Sequence, residues 1–133
     1  MKLQGLHIYL RLLTPDDVSK TYVAWMNDNE IIQYLESRWS VQTLETVRTF
    51  VQSMSDSPKD FLFGMFLNEI HQHIGNIKIG SIHFIHRHGD VGLIIGDKAS
   101  WGKGIAFEAI SLITRYGFEE LNLNKLTAST PFK

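Results

Sequence analysis

The amino-acid sequence predicts a mixed α/β domain built on one sheet, and three observations predict it. A strand-like N-terminal segment is followed by residues at helical spacing. The apolar period then changes from helical to extended at Phe61. Finally, a glycine-spaced turn at Gly102-Lys103-Gly104 joins a short apolar strand to a helix with an apolar stripe. Strand and helices first, then three strands, a helix and a strand, is not the regular alternation of a doubly wound sheet.

Each element has its own signal. Leu6–Leu13 mixes alternation with β-branched and aromatic residues and reads as the first strand. Thr14-Pro15-Asp16-Asp17 starts a helix: Thr14 caps, Pro15 suits the first helical position, and the acids complement the positive helix end. That helix is expected to run to about Met26, with Val18, Tyr22, Val23 and Trp25 inward. A second, short helix is expected over 29–35. A third is expected over 43–54, where Leu44, Val47, Phe50 and Val51 recur at helical spacing. Phe61–Leu67 reads as a strand, Asn68–Gln72 as a turn and His73–His86 as a long strand. His88-Gly89 turns the chain into a short strand at Val91–Ile95. Ile105, Ala106, Ala109, Ile110, Ile113, Tyr116 and Gly117 form the stripe of a helix packed on a sheet, and Leu126–Ser129 is a last strand.

Composition narrows the function classes. The chain has 133 residues, 44% hydrophobic and 20% charged, without repeats or linkers, and is expected to form a single domain over 1–133. A chain of this length buries roughly two thirds of its unfolded surface, enough for one core. Thirteen basic residues against fourteen acidic ones argue against nucleic acid as a partner. The absence of cysteine removes disulfides, thiolate nucleophiles and cysteine-based zinc sites. No apolar run approaches the ~20 residues of a membrane span, and Met1-Lys2-Leu3-Gln4-Gly5 lacks the apolar core of a signal peptide. A cytoplasmic location with no membrane partner is the expectation.

Asp90–Ala106 carries the chemistry. It reads as a strand, a loop and a glycine-spaced turn into a helix. Glycine at 102 and 104 permits close approach of a ligand and backbone conformations that a Cβ forbids. The first helical turn offers N–H groups without intrahelical acceptors at the positive end of the dipole, an anion site suited to a pyrophosphate. Lys103 adds charge there or is simply solvated. The plain alternative is a tight turn with a close helix–sheet contact. The dinucleotide fingerprint does not fit, because its third glycine is replaced; nor does a phosphate-binding loop ending in Gly-Lys-Ser/Thr.

Ile-Gly-Asp-Lys-x-x-Trp-Gly-Lys-Gly-Ile-Ala-x-Glu-Ala at Ile95–Ala109 resembles motif A of the GNAT superfamily of N-acetyltransferases, written Gln/Arg-x-x-Gly-x-Gly/Ala. Trp101 stands at the Gln/Arg position, Gly104 at the first small position and Ala106 at the second. Tryptophan there is similar to the branch acetylating ribosomal-protein N-termini and nucleotide-linked amino sugars. Trp25-Met26-Asn27-Asp28, followed by Tyr34, resembles a Trp-x-Asn-Asp segment of the same branch, and Thr14-Pro15-Asp16-Asp17 its first helix start. The resemblance covers nearly the whole chain.

The resemblance implies an α+β fold with a mixed, mostly antiparallel sheet flanked by helices. It also implies an enzyme passing an acetyl group from acetyl-CoA, its cosubstrate, to a primary amine of an amino-sugar nucleotide or a protein N-terminus, without a metal. In that reading the strand edge at Leu93, Ile94 and Ile95 pairs with the pantetheine amides. Backbone N–H groups of Trp101, Gly102, Lys103, Gly104, Ile105 and Ala106 hold the pyrophosphate. Asp90 stands where relatives carry a glutamate and is the candidate base; otherwise it is a turn residue after Gly89. Trp25, Asn27 and Tyr34 line the acceptor side, against the alternatives of core packing for the two aromatics and helix capping for Asn27.

Domains of this superfamily continue past the strand near Leu126 with a helix and two more strands, and that helix supplies a thiol-protonating tyrosine that Tyr116 does not match. The expectation is therefore a C-terminally truncated domain, with an exposed sheet edge covered by a second copy in a homo-oligomer. The alternative function is a non-catalytic acyl-CoA-binding or oligomerising remnant. His71, His73, His83, His86 and His88 invite a metal hypothesis, but strand alternation sets His83 on the face opposite His86 and His88. A histidine-rich surface hairpin is the expectation. Arg38-Trp39 is a weak candidate contact for an anionic sugar nucleotide.

Overall fold

Side-chain alternation along the strands divides the molecule into two cores on opposite faces of one sheet. In the computed structural model, which describes residues 1–32 and 40–128, the strands are β1 (Lys2–Gln4), β2 (Ile8–Leu12), β3 (Phe61–Leu67), β4 (His73–His83), β5 (His88–Ile95) and β6 (Lys125–Ala128). They form a six-stranded sheet in sequence order, antiparallel throughout except for the parallel pair β5–β6. The helices are α1 (Lys20–Met26), α2 (Asn29–Ile32), α3 (Leu44–Asp56) and α4 (Ile105–Glu119). This is the α+β architecture, a mixed and mostly antiparallel sheet flanked by helices.

Ile8 and Leu10 of β2, Phe63 and Met65 of β3, and Ile77 and Ile79 of β4 are wholly buried with Ala109 and Ile113 of α4. Their alternates Tyr9, Leu62 and Phe66 pack with Tyr22 and Trp25 of α1 and Val47 and Val51 of α3. Glu108 ties α4 to the sheet, since its carboxylate accepts the N–H groups of His7 at 2.8 Å and Ile8 at 2.9 Å. Burial pushes the Glu108 carboxyl up, but the N–H of His7, its ring and the N–H of Ile8 together hold it below the usual range.

The expected helix from Thr14 to Met26 is broken in two. Pro15–Asp17 is a single 3₁₀ turn, Val18 and Ser19 are extended, and α1 starts afresh with the Ser19 hydroxyl accepting the Tyr22 N–H at 3.1 Å. The Asp17 carboxylate is spent on the Thr14 N–H at 2.8 Å and on both terminal nitrogens of Arg11, at 2.9 and 2.8 Å. The turn therefore closes on itself, and Ser19 caps the helix that carries the apolar stripe.

Two further expectations shift. Lys2–Gln4 pairs with β2, a strand too short to have left a periodic signal. The long strand stops at His83, and the turn lies over 84–87 instead of at His88-Gly89. Ser81 and Arg87 adopt positive φ of 52° and 57°, and the β4–β5 register slips between Gly80 and His83. His83 thereby faces His88 across the hairpin, and the rings of His83, His86 and His88 stack with centroids 4.4, 5.4 and 6.4 Å apart. The three histidines share one side, contrary to the alternation expected of an uninterrupted strand.

Candidate functional site

The glycine turn is built as an opening. Gly102 and Gly104 both have φ of 76°, a left-handed conformation that is costly for any residue with a Cβ. Nothing lies within 4 Å of where a Cβ would stand at either position, so conformation and not crowding calls for glycine. Gly104 is the N-cap of α4 and has no side chain to cap with. The Gly104 carbonyl takes the Glu108 N–H at 3.1 Å, which leaves the N–H groups of Ile105, Ala106 and Phe107 aimed out of the helix start. An open space faced by first-turn N–H groups is the geometry of an anion cradle.

Three tethers hold the loop before it. The Asp97 side chain accepts from the Ala99 N–H at 3.3 Å and the Ser100 hydroxyl at 2.9 Å. The indole N–H of Trp101 reaches back to the Ile95 carbonyl at 2.8 Å. The Lys98 ammonium pairs with Asp28 at 2.9 Å and Glu30 at 3.2 Å, and its hydrogen bond holds the Asp28 carboxyl below the usual range. The last tether connects the loop to the junction of α1 and α2.

Strand β5 presents a free edge beside this loop. Strand β6 pairs with His88–Val91 only, so β5 runs on to Ile95 without a β6 partner among the described residues. The Gly96 N–H bonds to Ile74 of β4 at 2.8 Å. By alternation, the main-chain groups of Leu93 and Ile95 face away from β4, while those of Ile94 face it. The Ile94 side chain packs into the core under α1 and α3. Of the three residues expected at the strand edge, Leu93 and Ile95 have main-chain groups turned to it.

Asp90 lies within β5, in register with Gly80 on one side and Thr127 on the other, and it is exposed. It is a strand residue, not a turn residue after Gly89. The Thr127 hydroxyl donates to its carboxylate. Asp90 and Ile95 are five residues apart along the strand, about 17 Å at the usual rise.

The acceptor-side candidates have structural partners. Trp25 is 6% exposed, and a Cβ on Gly96 would fall 2.0 Å from its Cδ2, so α1 lies flat on the end of β5. Asn27 ends α1 and clamps the segment before α3, donating to Gln42 O at 2.8 Å and accepting from Gln42 N at 2.8 Å. Tyr34 and Arg38-Trp39 lie outside the described residues. Beside Trp25 is a polar pair of which the sequence marked only His73, and that as one of five histidines inviting a metal. His73 Nε2 meets Asn76 Oδ1 at 2.7 Å, and the His73 ring stands edge-on to Trp25 and Tyr22. Burial pushes His73 down, so the ring is favoured neutral, and raises the Tyr22 hydroxyl against its hydrogen bond to Asn76. Asn76, one of several polar residues of β4, carries no pattern that marks it. The stacked histidines at the hairpin are nearly parallel, and among the described residues no group of histidine and carboxylate side chains is placed to hold a metal ion.

Residues 7–131 match the acetyltransferase (GNAT) domain family. The chain belongs to the GNAT acetyltransferases. It is 27% identical over 124 residues to the uncharacterized N-acetyltransferase YoaA of Bacillus subtilis, covering 91% of this chain and 68% of that protein. The GNAT-family acetyltransferase structure from Bacillus anthracis superposes with a TM-score of 0.79 at 23% identity, over 96% of this chain and 72% of that one. The spermidine N-acetyltransferase of Vibrio cholerae, in complex with CoA and spermine, superposes with a TM-score of 0.79 at 22% identity, over 92% and 70%. At that identity the structures establish the fold.

GNAT membership carries the general reaction, transfer of an acetyl group from acetyl-CoA. The residues present suit that donor: a strand edge with outward main-chain groups at Leu93 and an outward N–H at Ile95, whose carbonyl the Trp101 indole takes, leads to a helix start with outward N–H groups. No described helix of this GNAT domain is long and apolar enough to cross a membrane.

Proposed function

We propose that this chain acetylates a primary amine of an amino-sugar nucleotide or a protein N-terminus, using cytoplasmic acetyl-CoA. The observation that carries the reading is the pair of left-handed glycines opening α4 beside the end of β5, which has no β6 partner among the described residues. The N–H groups from Gly102 to Ala106 receive the pyrophosphate, while the Trp101 N–H is taken by the Lys98 carbonyl at 3.1 Å. The outward groups of Leu93 and the N–H of Ile95 pair with the pantetheine amides, the Ile95 carbonyl being held by the Trp101 indole. The thioester then lies toward Asp90. The amine nitrogen attacks the thioester carbonyl, the new C–N bond replaces the C–S bond, and the thiolate leaves. Asp90 takes the proton that the nitrogen sheds. Trp25, Asn27 and Tyr34 belong to the acceptor side in this reading, with the Lys98 bridge to Asp28 holding that side against the cofactor loop. Two copies associate along β6, the edge strand beside the site.

Calorimetry with acetyl-CoA and thiol release with a panel of amines test it. The panel contains an amino-sugar nucleotide, a peptide with a free N-terminus and a polyamine. Binding together with release on either of the first two supports the reading, and release on the polyamine alone overturns the acceptor assignment. Binding without release on any amine leaves an acyl-CoA-binding domain, and no binding at millimolar ligand rejects the site. Sedimentation velocity reads the association.

A further inference from the structure

The carboxylate assigned to proton transfer is held by a residue on another strand, distant in sequence. Thr127 lies in β6, and the parallel register sets it directly opposite Asp90. Its hydroxyl Oγ1 donates to Asp90 Oδ1. Among the described residues, Thr127 is the side-chain donor that meets Asp90. On the other flank the register partner is Gly80, which has no side chain to offer. Two charged residues, Asp60 and Lys78, stand over Gly80. The Asp60 carboxylate accepts from the Ser81 N–H at 3.1 Å and the Ser57 hydroxyl at 2.7 Å, and Lys78 lays its aliphatic stem against the same spot.

The position of the pair matters as much as the bond. Among the described residues, strand β6 pairs with β5 from His88 to Val91, and β5 runs on to Ile95. Asp90 and Thr127 therefore stand one residue before the last described pair, Val91 with Ala128, next to the stretch of β5 that leads to the cofactor loop. An unheld carboxylate there would rotate about its side-chain torsions. Fixing Oδ1 on Thr127 leaves Oδ2 for the acceptor.

We propose that Thr127 is a positioning residue for acetyl transfer, orienting Asp90 so that one carboxylate oxygen faces the attacking amine. The inference rests on Asp90 being the base. Threonine serves better than serine in a strand, and valine keeps its shape without the hydroxyl. Thr127→Val is thus a near-isosteric removal of the donor.

The test is steady-state acetyl transfer by the wild type, Thr127→Val, Thr127→Ser, Asp90→Asn and the double variant Asp90→Asn/Thr127→Val. Thr127→Val is expected to lower kcat about tenfold, the worth of one lost hydrogen bond to a charged group, with KM for acetyl-CoA unchanged. Thr127→Ser restores kcat. Asp90→Asn lowers kcat about a hundredfold or more, and the double variant is no slower than Asp90→Asn alone, because Thr127 acts through Asp90. A Thr127→Val enzyme with wild-type kcat overturns the inference while leaving Asp90 as the base. So does a double variant slowed by the product of the two single effects, which marks a separate structural role. An Asp90→Asn enzyme with full kcat overturns the base assignment and the inference together, as does a wild-type chain without turnover.

Discussion

The indole nitrogen of Trp101 donates to the main-chain carbonyl of Ile95 at 2.8 Å, closing the loop between the end of β5 and the start of the glycine turn. Strand edge and helix start, which in the proposed reading serve two ends of one ligand, are thereby held at a fixed spacing by a side chain standing at a motif position. The ring is 40% exposed, so packing alone does not hold it.

Trp101→Phe keeps an aromatic ring and removes the donor. The loss of one hydrogen bond, about 1 kcal/mol, should weaken acetyl-CoA binding about fivefold while the fold is retained. Calorimetric titration reads the affinity and circular dichroism the fold. Undiminished affinity would show that Asp97 and Lys98 hold the loop without the indole.

Gly104→Val tests the cradle. At φ of 76° a β-branched residue is strained by about 1–2 kcal/mol or more, although the space around the position is empty. The start of α4 should rearrange to relieve that strain, and affinity for acetyl-CoA should fall at least tenfold. An unchanged dissociation constant would move the pyrophosphate away from this turn.

How much was legible beforehand follows from how local each signal is. Phe61–Leu67 occupies the span expected of it because its unbroken apolar run and its aromatic residues act within the strand itself. Gly102 and Gly104 were legible for the same reason, since a left-handed backbone marks its own residue. The helix break at Val18 and Ser19 was not, because it depends on Arg11 reaching Asp17 from a strand. The histidine stack depends on positive φ at Ser81, a residue type that gives no warning of it. Thr127 meeting Asp90 is a matter of register between strands 37 residues apart, which no local pattern encodes.

Gly96→Ala probes the contact of α1 with the end of β5. The added Cβ would fall 2.0 Å from Trp25 Cδ2 and 2.1 Å from Cε2, so ring or backbone must shift. Overpacking of this kind costs about 1–3 kcal/mol. Urea denaturation should show the loss in wild type and a smaller loss in a Trp25→Leu background, where the ring is gone. Equal losses in both backgrounds would place the strain elsewhere.

Glu108 should make stability depend on acid. Burial raises its carboxyl, but the N–H groups of His7 and Ile8 and the His7 ring outweigh it, so the folded value lies below the reference of 4.5. A lowered folded value means that the unfolded chain binds the proton more readily. The contribution is therefore complete above about pH 4.5 and is lost as pH falls through the folded value. Glu108→Gln should lower the urea midpoint near neutrality, because a neutral amide oxygen accepts the two N–H groups more weakly than a charged carboxylate does. The gap between variant and wild type should then narrow as the solution is acidified. A gap that stays constant from neutrality into the acid range would mean that Glu108 supports the start of β2 by packing alone.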